Sequence, residues 1–184
     1  MLQGVSRRKI SAADYVRMGQ AGLLPEHGVE LIEGEIFDMS PVGSKHFSCV
    51  NTLLELLIEQ LGRKVIVSVQ NPVQLNQFSQ PEPDIAILLR SPDRYSSQLP
   101  GPSDVLLIIE VADSTLKFDK EVKLPLYAAA GIPEYWIINL ESQEIESYWN
   151  PEEKSYKNQQ ITKAGERILS NVLGIGIWHK EIFE

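Results

Sequence analysis

The chain has 184 residues, 43% hydrophobic and 23% charged, with a formal charge of -8 and one cysteine, Cys49. That length supports a single domain over residues 1–184 with a real core, while the acidic balance argues against a general nucleic-acid coat, whose phosphate contacts depend on Lys and Arg. No apolar run approaches the roughly eighteen residues of a membrane span, Met1–Arg8 lacks the apolar segment of a secretory leader, and one cysteine cannot close an internal disulfide, so the cytoplasm is the expected compartment.

Ser11 can cap a short helix running to about Gln20. Val29–Ile32 and Glu35–Met39 flank Glu33-Gly34, where the glycine can take the positive φ of a tight turn, so a small hairpin is expected. Ser44–Leu61 carries Val50, Leu53, Leu54, Leu57, Ile58 and Leu61 at helical spacing and stops at Gly62. Lys64–Val69 is rich in Val and Ile and reads as a strand, with Pro72–Leu75 continuing it at an edge. Two apolar runs follow, Asp84–Leu89 and Val105–Glu110, joined by a loop rich in Ser, Pro and Gly. Lys117–Ala130 reads as a helix in which Pro125 is awkward, so that the helix begins late or bends there. Glu134–Leu140 is a further buried strand, and Gln143–Trp149 pairs with Glu153–Thr162 through Pro151–Glu153. The tail to Glu184 holds short apolar pieces. The order of elements predicts an α+β fold with a mixed sheet flanked by helices.

Asp84 opens one of the two central runs and Glu110 closes the other. Antiparallel pairing centred near Ser97 places position 84 opposite position 110, and directly opposed residues share a face with β-carbons about 5 Å apart. Two acids so placed repel each other unless a cation lies between them. Hard oxygen donors of this kind suit magnesium or manganese. A metal site at the rim of the sheet is therefore expected.

Pro83-Asp84 followed by Glu110-Val111-Ala112 resembles the metal-binding core of the PD-(D/E)XK nuclease superfamily, the restriction-endonuclease-like fold. The strict pattern has Lys where this chain has Ala112, and Lys123 on the following helix would be a migrated substitute. A longer string is similar to the Uma-type restriction endonucleases: Val29–Ile36, Lys45-His46, Pro81–Ile85, Glu110–Thr115, Asp119, Lys123, Tyr127-Ala128 and Gly131–Ile138. The resemblance implies an endonuclease that hydrolyses DNA phosphodiesters with Mg2+ or Mn2+ and works as a homodimer. It makes Asp84 and Glu110 metal ligands together with the Val111 carbonyl. Lys123 becomes the positive charge beside water or phosphate, and Glu30 an N-terminal acid for a second ion or a water. His46 and Gln70 become candidates for touching substrate phosphate or ordering water.

Each residue also has a plainer role open to it. Asp84 can cap a turn, Glu110 can pair permanently with Lys123, and Lys123 can pair with Asp119 one helical turn away. Glu30 can be one more solvated acid, His46 an ordinary helix residue, and Asp113–Thr115 a turn leading into the helix. Ala112 and the acidic charge also fit a nuclease fold that no longer cleaves and instead binds nucleic acid or protein. A phosphoesterase acting on RNA or nucleotides is a third possibility.

Overall fold

The computed structural model describes residues 6–184; the leader reading over Met1–Arg8 therefore lies in part outside the described residues. Helix α1 (Ala12–Gln20) starts at Ser11, whose hydroxyl oxygen accepts from the Asp14 amide at 3.1 Å. The Tyr15 hydroxyl donates to the Val29 carbonyl at 2.9 Å and seats α1 on the hairpin of β1 (Val29–Ile32) and β2 (Glu35–Asp38). The hairpin turns at Glu33 and Gly34, both at positive φ (50° and 86°), which is the primed turn that matches strand twist.

A Cβ on Gly34 would lie 2.6 Å from the Lys9 Cβ. Gly34→Ala therefore combines an unfavourable φ with a clash, and is expected to cost about 2 kcal/mol, or roughly 4–8 °C in Tm by thermal melting.

Helix α2 (Ser44–Leu61) buries Val50, Leu53, Leu57 and Leu61 on one stripe and ends at Gly62, φ 56°. Strand β3 (Ile66–Val69) follows. Pro72–Leu75 does not extend it. Gln70 turns the chain at φ 49°, Pro72 has no N–H to give, and the segment bonds instead to Pro81, Pro100 and Ser79. Strands β4 (Ile85–Leu88) and β5 (Val105–Ala112) form the expected antiparallel pair.

The expected helix over 117–130 is built in three pieces. These are α3 (Leu116–Phe118), a π-helical turn Asp119–Lys123, and α4 (Leu124–Ala129). The wide turn shifts the hydrogen-bond frame just before Pro125, which then sits in the first turn of α4, where a missing N–H is tolerated.

Strand β6 (Glu134–Asn139) runs parallel to β5. Strand β7 (Glu144–Glu152) runs three residues beyond the expected Trp149, and β8 (Ser155–Thr162) starts two residues later than expected, so the turn lies at Glu153-Lys154. Pro151 is accommodated because the β6–β7 ladder ends at Trp149, which leaves that edge of β7 without a neighbour to bond. The tail forms a hairpin, β9 (Arg167–Leu169) and β10 (Gly176–Trp178), and a short helix α5 (His179–Phe183).

Six strands make one mixed sheet in the order β3-β4-β5-β6-β7-β8. Alternate residues of its central strands feed two cores. Ile85, Ile87, Leu107, Ile109 and Val111 pack with α2 and α5, whereas Ala86, Leu88, Ile108 and Ala112 pack with α4. Among the described residues no helix is long and apolar enough to cross a membrane.

Candidate active site

The register Ile85↔Ile109 is followed, one step outward, by Asp84 opposite Glu110. Alternation puts both on the α4 face of the sheet. Direct contacts fasten them together: the Asp84 amide donates to Glu110 Oε2 at 3.2 Å, and the Val111 amide donates to Asp84 Oδ2 at 2.9 Å. His46, at the start of α2, also meets Asp84 Oδ2 through Nε2 at 2.9 Å, and Gln70 Nε2 reaches Oδ1 at 3.4 Å.

Behind the pair stands Lys123, on the π-helical turn and buried. Its ammonium donates to Glu110 Oε1 at 2.9 Å and to Glu30 Oε1 at 3.1 Å. The Tyr127 hydroxyl, one turn further along the helix, donates to Glu110 Oε1 at 2.8 Å. Glu30 comes from β1 and also accepts from the Glu82 amide at 3.2 Å. Asp119 accepts from the Thr115 hydroxyl at 2.7 Å. Asp84, Glu110, Glu30, Lys123, His46, Gln70 and Val111 all line one cleft of about 770 Å3.

Electrostatics in the cleft are dominated by burial. Three donors favour the ionised form of Glu110, but desolvation prevails and pushes its pKa up to about 8. Burial likewise raises Asp119, to about 6. Desolvation opposes the charge on Lys123, yet Glu110, Glu30 and Asp119 together drive its pKa above the usual value. Burial also works against protonation of His46, and Asp84 outweighs it, so the ring holds its proton more tightly than usual.

Two buried carboxylates show the difference between a brace and an acceptor left open. Glu134 has every oxygen met: Oε1 by the Trp136 indole (2.9 Å) and the Asn171 amide (3.2 Å), Oε2 by the Ser170 hydroxyl (2.7 Å) and the Val172 amide (3.2 Å). Glu30 is 2% exposed, and its Oε2 has no partner among the described residues. An unmet buried oxygen is costly, and here it lies beside Lys123 in the wall of the cleft.

The family model Uma2, described as "Putative restriction endonuclease", matches residues 12–180. The chain belongs to the Uma2 family. A solved structure described as a "putative nuclease belonging to DUF820 from Anabaena variabilis ATCC 29413" superposes with a TM-score of 0.73 at 16% identity, over 95% of this chain and 97% of that one. That likeness shows the restriction-endonuclease-like fold, a mixed sheet flanked by helices. No curated protein matches the chain.

In this Uma2 protein the sequence-predicted residues gather in one cleft, with differences in detail. His46 and Gln70, candidates for touching substrate phosphate or ordering water, both meet Asp84. The plain pairing of Lys123 with Glu110 is present, and Lys123 pairs with Glu30 as well. Ala112, where the strict pattern has Lys, is packed in the apolar core below Glu110. Sequence reasoning missed Tyr127, Glu82 and Asp119 as members of the site. Asp119, Lys123 and Tyr127 at four-residue spacing were visible, but the same spacing describes any helix face. Glu82 stands two residues before Asp84 and lines the same cleft.

Proposed function

We propose that the chain is one nuclease domain that hydrolyses DNA phosphodiester bonds with the help of Mg2+ or Mn2+, acting in the cytoplasm as a homodimer. The observation that carries this reading is the pairing of Asp84 and Glu110 at the open end of one β-hairpin, with a buried ammonium behind Glu110. Among the described residues no three His, Cys, Asp or Glu side chains converge as a ready metal cage. Two carboxylates with a backbone carbonyl nevertheless fit magnesium, which commonly binds through one or two carboxylates and completes its shell with water and substrate phosphate.

Asp84 and Glu110 would hold the ion, with the Val111 carbonyl as third donor. Bound there, it would supply Lewis acidity and lower the pKa of water. Lys123 keeps a fixed positive charge against Glu110 at a water-poor site, where charge stabilisation is strong. His46 and Gln70 fix the rotamer of Asp84 and so hold its oxygens in place. The unmet Oε2 of Glu30 is free to accept a proton from water or to meet a second ion. A two-fold dimer would offer one such cleft to each antiparallel strand.

The test is to incubate supercoiled and linear DNA with each ion and to follow nicking and linearisation; no cleavage with either ion overturns the reading. Binding of the ion to the folded state alone should also raise Tm. At a hundredfold excess over Kd the stabilisation is about 2.7 kcal/mol, or roughly 5–10 °C.

Ala112 and the full engagement of Lys123 with two carboxylates favour a second reading. In it the fold binds nucleic acid or a protein without cleaving. Absence of any metal-linked shift in Tm would select this alternative.

A further inference from the structure

A carboxylate offers about four lone-pair directions, two on each oxygen. On the paired acids of the cleft some of these are already taken by donors of the chain. Glu110 Oε1 accepts from the Lys123 ammonium at 2.9 Å and from the Tyr127 hydroxyl at 2.8 Å, so both of its places are filled. Among the described residues Glu110 Oε2 accepts from the Asp84 amide alone, at 3.2 Å. Asp84 repeats the pattern. Its Oδ2 meets the Val111 amide and His46 Nε2, both at 2.9 Å. Its Oδ1 has the long contact from Gln70 at 3.4 Å. Each acid therefore has one oxygen fully engaged and one with a lone pair to spare.

The engaged oxygens are held by buried parts of the fold. Tyr127 and Lys123 are both buried and lie four residues apart on one helix face, which lets both reach the same oxygen. The Tyr127 ring packs on Tyr135 with centroids 5.1 Å apart, so its hydroxyl has little room to swing away. His46 is buried in the first turn of α2. A carboxylate held in this way meets a cation through its second oxygen alone. Asp84 Oδ1, Glu110 Oε2 and the Val111 carbonyl would then give one donor atom each. Magnesium commonly binds through one or two carboxylates and keeps several waters in an octahedral shell, whereas calcium takes six to eight oxygens and often uses both oxygens of one carboxylate.

We propose that Tyr127 and His46 set the ion preference of the cleft: by engaging Glu110 Oε1 and Asp84 Oδ2 they hold each acid to one donor atom, which suits Mg2+ and denies Ca2+ the paired oxygens it uses. That an ion binds between these acids rests on the nuclease reading above; the engagement of the two oxygens does not. Both are positioning residues, since each acts on the ion through a carboxylate.

The experiment titrates MgCl2 and CaCl2 separately into the metal-free full chain by calorimetry, for wild type, Tyr127→Phe, His46→Ala and Tyr135→Phe. Thermal melts without ion check folding. The readout is the ratio of the two Kd values. Tyr127→Phe frees one place on Oε1 and leaves the Lys123 bond, so Ca2+ should gain on Mg2+ by about tenfold. His46→Ala frees one place on Asp84 Oδ2 and should move the ratio the same way, which keeps the test decisive if Tyr127→Phe folds poorly. Tyr135→Phe is the control. It removes a buried hydroxyl of the same ring stack, one that donates to the Asp119 carbonyl at 3.4 Å, and should leave the ratio unchanged. An unchanged ratio in both Tyr127→Phe and His46→Ala overturns the proposal, even where both ions bind more weakly, because a packing role weakens both alike. So does an equal shift in Tyr135→Phe. Either of these results leaves the nuclease reading intact. Failure of the wild type to bind either ion overturns the proposal and the metal reading together.

Discussion

Asp84→Asn and Glu110→Gln should each lower the initial rate of metal-dependent DNA cleavage by about a thousandfold. That corresponds to about 4 kcal/mol of lost charge stabilisation at 1.36 kcal/mol per tenfold. Both changes preserve shape. In Asp84→Asn the carbonyl oxygen can keep accepting from the Val111 amide, whereas the one oxygen of Glu110→Gln serves either the Asp84 amide or Lys123 and Tyr127, so that variant should lose some stability and its rate is taken per folded molecule. What the substitutions remove is the paired negative charge that a hard cation needs. The metal-linked rise in Tm should disappear with the activity, which separates lost ion binding from a general loss of fold. Glu134→Gln is the control. It alters a carboxylate that is also buried but is braced by four donors outside the cleft. It should reduce stability and leave the rate per folded molecule unchanged. If either Asp84→Asn or Glu110→Gln retained more than about a tenth of the wild-type rate, that residue would have no part in the reaction.

The sheet end was readable because strand geometry has a period of two. Once the loop between the central runs is seen, its midpoint fixes which residues face each other, and Asp84 and Glu110 follow. The bulge between Ile87 and Leu88 did not disturb this, because it lies on the loop side of the pair. Family resemblance then pointed to Lys123 and Glu30. The rest depended on distances that no spacing encodes. His46 meets Asp84 across 38 positions of sequence, because α2 happens to begin beside the start of β4. Tyr127 was visible as a helix-face neighbour of Lys123, but its hydroxyl bond to Glu110 needs the helix to cross β5 at one height. Pro125 gave a true warning without an answer: a π-helical turn, not a late start or a simple bend, absorbs it. Pro72–Leu75 and the far end of β7 were misjudged for one reason. Whether a proline is tolerated in a sheet depends on which neighbour is missing, and a single strand does not show its neighbours.

Lys123→Met should destabilise the protein by about 3–5 kcal/mol, lowering Tm by roughly 6–20 °C in a thermal melt. The pair Glu30 and Glu110 would be left buried together with no counter-charge within reach; both are at most 3% exposed. A methionine fills similar volume, so the loss reports charge and not a cavity. Adding Glu110→Gln to Lys123→Met should recover at least half of it, because one of the two stranded charges is then gone. Lys123→Arg should not substitute, since a planar guanidinium does not reproduce the compact ammonium held between Glu30 and Glu110. Rates measured below the lowered Tm separate the two roles open to this residue. If the ammonium only braces the carboxylates, activity per folded molecule survives. If it also acts on the reacting phosphate, the rate falls by a further factor of about a hundred. A cost below about 1 kcal/mol would mean that the carboxylates share a proton without help, and that the ammonium is not what keeps this end of the sheet assembled.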